Sequence, residues 1–390
     1  MAEGRAAVAA AGVSGARRLE RYQRQMILPQ VGVAGQERLL RSRVLVVGAG
    51  ALGSASALYL AAAGVGTVGI VDGDRVAEHN LHRQILHGTA DVGRPKTESG
   101  AERLAALNGD VRVVQHQAFL APDNALDLVG RYDLVVNGSD NFATRYLVND
   151  ACVLLARPLV DAAILRFEGQ FVTFRPGQGC YRCLFPTPPP PGSVPDCADA
   201  GVFGALAGVF GSLQAVEAIK LLLGLAEGRP RLSMYDALAG EWRAVAIRRD
   251  PLCPLCGDRP TITALLADYE VFCGVTAAAA PADVPSLSAR DAAAWLEAGR
   301  AVLVDVRNPS EIAAGRVPGS LTVPLPALDP AAAIWPSDRA VICVCAMGAR
   351  SAQAAARLRA AGVDAFSLAG GVLAWQAEGL PWQGPAAERA

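Results

Sequence analysis

The chain has 390 residues, 52% of them hydrophobic, which supplies apolar material for two or three packed domains and excludes a disordered chain. Its 36 basic and 37 acidic residues leave a net charge of -1, so no general electrostatic pull draws it toward nucleic acid or an anionic membrane. The nine cysteines are odd in number and unevenly spaced, unlike a small secreted disulfide scaffold, and suit a reducing cytoplasm.

Residues 1–19 are rich in Ala and Gly but carry Glu3, Arg5 and Arg17 without a Leu-rich stretch; they read as a flexible tail, not an export signal. From Val44 to Val71, 28 residues pass without a charge, punctuated by six glycines. That length could span a bilayer, but the glycines mark buried strand, turn, helix and strand instead. Arg43–Val47 and Val65–Val71 are then strands and Ser54–Ala63 the helix between them, a βαβ unit that implies a parallel sheet. Further strands are expected at Val111–Gln115, Asp133–Asn137 and Pro158–Val160, and Gly169–Arg175 and Arg231–Tyr235 belong to a later, antiparallel part. Pro186–Gly192 is a polyproline-type crossing loop, followed by a long apolar helix over Gly201–Leu223. The composition changes across 261–283, which reads as a linker between a first domain, 20–260, and a second, 284–386. The second alternates helix Asp291–Ala298, strands Ala301–Val306 and Ala340–Cys345, helix Ser351–Ala361 and strand Ala365–Leu368. The fold class is therefore α/β twice over.

Gly48-x-Gly50-x-x-Gly53 lies between strand and helix, and Asp72 ends the next strand. Such glycines permit a tight turn and close approach of backbone to phosphate, and the carboxylate suits ribose hydroxyls. No GxxxxGK[ST] phosphate loop is present in the sequence. Asn80-Leu-His-Arg83-Gln84, Gly93-Arg-Pro-Lys96, Gly138-Ser-Asp140-Asn141 and Arg24 add three cations and a carboxylate. Taken singly, each cation would pass for an ordinary surface charge. As a set they suit nucleotidyl transfer, where charge builds on the α-phosphate and the leaving pyrophosphate, with Asp140 able to hold Mg²⁺. Cys180-Tyr-Arg-Cys183 and Cys253-Pro-Leu-Cys256 are two CxxC pairs, the pattern of a tetrahedral structural Zn²⁺ site. Cys197 precedes the long apolar helix, where a thiol is either a small buried residue or a reactive thiolate.

In the second domain Asp305-Val-Arg307, Gly315-Arg316-Val-Pro-Gly319, Cys345-Ala-Met-Gly348-Ala-Arg350-Ser351 and Gly370-Gly371 follow in order. Strand, cysteine, glycine loop and helix make a nest of backbone N–H groups around a thiolate or persulfide, and Arg350 adds charge. No histidine lies beyond His116, so this loop has no imidazole base of its own domain. A Cys-x₅-Arg phosphatase loop does not fit, because only four residues separate Cys345 from Arg350. Cys343 shares a strand face with Cys345 and reads as core; Cys152 and Cys273 read as structural.

Arg21–Leu28, the glycine turn, Asp72, Asn80–Gln84, Lys96 and Asp140-Asn141 resemble, in order and spacing, the MoeB/ThiF-type adenylyltransferases, bacterial relatives of ubiquitin-activating enzymes. The likeness runs over about residues 20–257, and the motifs of 284–386 resemble a rhodanese domain. The stretch of prolines before Cys197-Ala-Asp resembles the crossover loop of the fused adenylyltransferase–sulfurtransferases. The resemblance implies a Rossmann-like, ubiquitin-activating-type adenylation domain with structural zinc, joined to a smaller rhodanese domain. Gly48, Gly50, Ala51 and Gly53 would line ATP, with Ala51 standing where the family has glycine. Asp72 would bind the ribose, Asn80, Arg83 and Lys96 the phosphates, and Asp140, beside Asn141, the Mg²⁺. Arg24 would reach the phosphates of a partner subunit, which implies a homodimer.

The two activities join in one product. Adenylation of the C-terminal Gly-Gly of a ubiquitin-like sulfur-carrier protein, followed by sulfur transfer from a persulfide on Cys345, yields a thiocarboxylate for molybdopterin or a related cofactor. Cys197 would resolve the acyl disulfide or hold a thioester, and thiosulfate or a cysteine desulfurase would supply the sulfur. Arg316, where the rhodanese pattern usually has His, and Ala346-Met347 depart from that pattern. Three other readings stand beside this one: an adenylyltransferase with a silent rhodanese domain, a carrier-binding scaffold without catalysis, and an NAD-dependent oxidoreductase built on the glycine turn and Asp72.

Overall fold

Strand β1 (Arg43–Val47) sets the plan of the first part of the chain. Leu45 and Val47 point into one buried cluster, Val44 and Val46 into another, so the strand requires cover on both faces, as parallel sheets do. The computed structural model describes residues 13–189, 200–273 and 284–384, apart from 308, 314, 333, 334, 337 and 347. Cys197 and residues 190–192 of the polyproline loop lie outside the described residues. The chain divides into two compact units, 1–274 and 275–390.

In the first unit β2 (Thr67–Val71), β3 (Arg112–His116), β4 (Leu134–Asn137) and β5 (Leu159–Leu165) run parallel with β1. Strands β6 (Glu168–Phe174), β7 (Arg231–Asp236) and β8 (Glu241–Ala246) continue the sheet antiparallel. The order is β3-β2-β1-β4-β5-β6-β7-β8. Successive strands therefore lie on one side of β1 and then on the other, and the reversal opens a crevice at the carboxyl ends of β1 and β4.

The helix after β1 spans Ala51–Ala62, with Gly50 as its N-cap, and so begins earlier than the expected Ser54. Gly53 makes this possible: a Cβ there would lie 1.8 Å from the Gly48 carbonyl oxygen. Strand β2 begins at Thr67 rather than Val65, because Gly64 has a φ of +81° and Gly66 lies against the Leu40 carbonyl. Strand β8 was not expected; all six of its residues are exposed, so Glu-Trp-Arg-Ala-Val-Ala has no buried face to set a hydrophobic alternation. The Gly204–Leu223 helix is long and apolar enough to cross a membrane by length and composition. It packs on the Ala51–Ala62 helix and on β5, where a Cβ at Gly211 would lie 2.4 Å from the Leu52 carbonyl oxygen.

Within the expected linker, 261–283, Leu265 to Cys273 pack on the first unit. Leu265, Leu266, Tyr269 and Phe272 join its core. Arg182, 2% exposed, donates to both carboxylate oxygens of buried Asp150 at 2.8 and 2.6 Å, and Tyr269 donates to Asp150 Oδ2 at 2.7 Å. The guanidinium also lies 4.6 Å from the Phe272 ring centroid and 5.0 Å from that of Tyr146, a cation–π arrangement.

The second unit is a five-stranded parallel sheet ordered β11-β10-β12-β13-β9, where β9 is Ser286–Leu287, β10 Ala301–Asp305, β11 Leu321–Thr322, β12 Ala340–Val344 and β13 Ala365–Leu368. Central β12 is wholly buried. Ala340, Ile342 and Val344 face one cluster, Val341 and Cys343 the other, which also takes Cys345. Burial pushes the Cys343 thiol up to about 12, consistent with a core role. Arg307 forms a buried pair with Asp305, at 2.6 Å between Nη2 and Oδ2, and donates to the Gly315 carbonyl at 2.8 Å.

Asp150→Ala leaves the Arg182 charge buried without its carboxylate, and is expected to cost ~3–5 kcal/mol of first-unit stability in urea unfolding.

Candidate nucleotide site, cysteine cluster and thiol loop

The glycine turn leaves β1 at its carboxyl end. Gly48 adopts φ +87°, and a Cβ on it would lie 3.3 Å from the Gly138 carbonyl oxygen in the turn after β4. A Cβ on Gly138 would in turn lie 2.9 Å from Gly53 N. These three glycines let two loops and a helix start share one place, and the helix N-terminus there offers unpaired N–H groups and the positive end of its dipole.

Asp72, 8% exposed, follows β2. Its Oδ2 accepts from Ala49 N and its Oδ1 from Asp74 N, both at 2.8 Å. Lys96 begins the Lys96–Leu107 helix; its Nζ lies 2.8 Å from Asp74 Oδ2 and 3.8 Å from Asp72 Oδ2. Arg83 donates to Asn80 Oδ1 at 2.7 Å and lies 2.8 Å from His82 Nε2. Burial, then the charges of Arg83 and His79, lower the His82 pKa, so its ring is placed to accept. Buried Gln84 leaves its Oε1 without a hydrogen-bond partner among the described residues, as does Ser139 Oγ.

Asp140 is exposed just beyond β4. Asn141 Oδ1 caps the Phe142–Leu154 helix by accepting from Thr144 N at 2.8 Å, so that oxygen serves the fold. Arg24 is exposed near the end of the Val13–Met26 helix. Behind the crevice Asn137 donates to Asp161 Oδ1 at 2.7 Å, and Arg145 lies 3.4 Å from Asp161 Oδ2. Burial raises the Asp161 pKa while these two partners lower it.

His87 is 7% exposed and no motif in the sequence singles it out. Its Nε2 lies 3.0 Å from the Ala49 carbonyl oxygen and its Nδ1 2.9 Å from Ser99 Oγ.

Cys180, Cys183, Cys253 and Cys256 bring their sulfurs within 4.8 Å of one another, with separations of 4.0, 3.7 and 3.3 Å for 180–183, 180–253 and 183–256. Zinc–sulfur bonds of about 2.3 Å in a tetrahedron require sulfurs about 3.8 Å apart, so the donor set fits that ion in chemistry and spacing. Hydrogen bonding to the neighbouring sulfurs, then burial, pushes the Cys180 thiol up; a bound cation would reverse that balance. Cys152 and Cys273 are buried and unbridged, and burial raises both, Cys273 to about 11.

In the second unit Cys345, 2% exposed, sits at the carboxyl end of β12. Its Sγ accepts from Gly348 N at 3.1 Å and lies 3.5 Å from Ser351 Oγ. The loop closes through Val372 N, which donates to the Cys345 carbonyl at 2.8 Å, and through Ser351 and Ser367, whose hydroxyls are 2.9 Å apart. Gly371 has φ +60°, and a Cβ there would lie 2.3 Å from the Cys345 carbonyl oxygen. Arg350 is held bidentate by Glu311, at 2.8 Å for each bond, a partner that the sequence motif did not reveal.

Fold and sites together define a nucleotide-binding α/β domain with a four-cysteine knuckle, followed by a domain that holds a cysteine against a loop N–H at the end of a central strand. The chain belongs to the ThiF family, which matches residues 22–255, and a rhodanese-like domain matches residues 288–378. A Mycobacterium tuberculosis protein named probable adenylyltransferase/sulfurtransferase MoeZ is 47% identical over 373 residues, 93% of each chain. A Thermus thermophilus sulfur carrier protein adenylyltransferase is 57% identical over 266 residues, 66% of this chain and 97% of its own. The Bos taurus adenylyltransferase and sulfurtransferase MOCS3 is 48% identical over 321 residues, 80% of this chain and 70% of its own. The fold is similar to that of Escherichia coli MccB crystallised with AMPCPP and MccA, with a TM-score of 0.53 at 25% identity, over 61% of this chain and 74% of that one.

Gly371→Ala places a methyl group against the Cys345 carbonyl, and is expected to destabilise the second unit by ~1–3 kcal/mol in chemical unfolding.

Proposed function

We propose that the chain adenylates the C-terminal glycine of a ubiquitin-like sulfur-carrier protein with ATP, and then converts that carboxyl group into a thiocarboxylate with sulfur carried on Cys345. The observation that carries this reading is the pairing, in one chain, of a glycine turn at a helix start, with Asp72 and Lys96 beside it, and a buried thiol facing a loop N–H. The names of the M. tuberculosis and Bos taurus relatives support the same pair of activities, and that of the T. thermophilus relative supports adenylation with a sulfur carrier.

In the first step a carrier carboxylate oxygen attacks the α-phosphorus of ATP, the bond to the β-phosphate oxygen breaks, and pyrophosphate leaves. Asp72 would bind the ribose, and N–H groups of the helix start a phosphate. Gln84 Oε1 and Ser139 Oγ, buried without partners among the described residues, offer polar contacts at the same crevice. Arg83 and Lys96 stabilise the charge that develops on the phosphates, held in place by Asn80 and Asp74. Arg24 acts on the site of a second copy in a homodimer. Asp140 would hold Mg²⁺, which neutralises phosphate charge when bound. The four cysteines would hold Zn²⁺ as a structural ion.

In the second step the Cys345 thiolate takes a sulfane sulfur, for example from thiosulfate with sulfite leaving, or from a cysteine desulfurase. The terminal sulfur of the persulfide attacks the acyl carbon, and AMP leaves. A thiol, for which Cys197 is the candidate, attacks Cys345 Sγ and releases the carrier thiocarboxylate, forming a disulfide that an external dithiol reduces. The loop N–H of Gly348 and the hydroxyl of Ser351 stabilise the anionic sulfur. Glu311 keeps the Arg350 guanidinium beside the loop. The reducing cytoplasm suits this chemistry.

The test is the intact mass of a Gly-Gly-ended carrier after incubation with the chain, Mg·ATP, thiosulfate and a dithiol. An oxygen-to-sulfur shift that Cys345→Ala abolishes is the expected result. Pyrophosphate release without a shift would leave an adenylyltransferase with a silent rhodanese domain. Neither signal would point to a scaffold or, with tight nicotinamide binding, to an oxidoreductase. Lys96→Ala is expected to slow ATP–pyrophosphate exchange by ~100-fold or more, and full exchange would remove Lys96 from the site. Metal analysis of the purified chain should return one Zn²⁺ per chain, lost when Cys183 and Cys256 are replaced by Ser.

A further inference from the structure

We infer that His87 is a positioning residue of the nucleotide site: as a neutral imidazole it fixes the peptide between Ala49 and Gly50, so that the glycine turn presents its N–H groups to phosphate. The inference rests on the nucleotide reading above and adds a residue to it.

The geometry is a clamp on Ala49 from two sides. Asp72 Oδ2 accepts from the Ala49 N–H at 2.8 Å, and His87 Nε2 reaches the Ala49 carbonyl at 3.0 Å. A carbonyl oxygen only accepts, so the proton sits on Nε2. In the neutral ring Nδ1 then accepts from the Ser99 hydroxyl, at 2.9 Å. A peptide is planar, and its C=O and N–H point in opposite directions. Pinning the Ala49 carbonyl inward to the buried ring therefore turns the Gly50 N–H outward, at the N-cap of the Ala51–Ala62 helix.

The second hydrogen bond makes His87 more than a prop for the turn. Ser99 lies one turn along the helix that Lys96 begins. Ser99, His87 and Ala49 thus join the helix that carries the phosphate-directed lysine to the turn that carries the phosphate-directed amides. Lys96 and Asp72 are close enough to close the same loop from its other side, at 3.8 Å. Glycine gives the turn its freedom, and the clamp withdraws that freedom at one peptide.

Burial favours the neutral form of the ring. Burial lowers the His87 pKa most and Lys96 lowers it further, while the Ala49 carbonyl, Asp72 and Asp91 raise it. Protonation would make Nδ1 a donor to the Ser99 oxygen, whose hydroxyl hydrogen would turn to Asp91.

The experiment measures Mg·ATP binding to the full chain by calorimetry, with the KM for ATP from pyrophosphate exchange. His87→Phe keeps the ring and removes the donor; it is expected to weaken binding by about 5- to 10-fold and to raise KM by a similar factor, with kcat changed less. In His87→Gln the amide NH₂ takes the place of the Nε2 donor, and affinity is expected to return to within about 3-fold of the parent. Parent-like affinity in His87→Phe, or His87→Gln as weak as His87→Phe, would overturn the assignment. A parent chain that binds no ATP would overturn the nucleotide reading itself and the inference with it. If His87→Phe does not fold, long-range ¹H–¹⁵N spectra of the parent decide: the Nε2–H tautomer at pH 7 is expected, and an Nδ1–H tautomer or an imidazolium overturns the inference.

Discussion

The carboxyl ends of β1 and β4 approach so closely that no side chain fits between them, and the first unit is organised around that contact. Gly48, Gly53 and Gly138 each lack a Cβ where one would meet backbone. The close approach brings a helix start, the residue after β2 and the loop after β4 to one crevice. A methyl group at Gly53 would push the helix off the sheet and carry the turn with it. The rest of the site is built outward from this contact. Asp72 and His87 tie down Ala49, the residue after Gly48, from its two sides, and Asp74 and Asn80 hold Lys96 and Arg83.

The two units handle negative charge by different means. In the first, the candidate cations Arg83 and Lys96 are held by an amide and an acid. The second has no imidazole, and the guanidinium in its loop is bound to Glu311. What faces Cys345 is a backbone N–H and a serine hydroxyl. Fixed dipoles need no titratable neighbour, which would suit the sulfur-carrying role proposed for this thiol. Both loops nevertheless stand at the carboxyl end of a central parallel strand, where strand, turn and helix converge.

Much of this was legible in the chain order of residues. The strand runs of Arg43–Val47 and Ala340–Val344, the glycine turn, the two CxxC pairs and the Cys345 loop each combine a short local pattern with a chemical requirement, and both survive in one dimension. What could not be read depends on partners distant in sequence. His87 takes its meaning from Ala49, 38 residues away, and Arg350 from Glu311, 39 residues away. The β8 strand is exposed throughout and leaves no alternation. The packing of Leu265 to Cys273 is equally hidden, because the stretch looks like loop until Asp150 and the aromatic cluster are placed beneath it.

That last feature bears on where the first unit can be cut from the second. The family motifs end at Cys256, but the pairing of Asp150 with Arg182 is completed by Tyr269. A truncation drawn at the last cysteine would open the aromatic cover over a buried guanidinium and let water reach the helix that supports the cysteine knuckle. The smallest portable piece of this enzyme is thus longer than its signature, and its true end is an aromatic latch rather than a metal ligand.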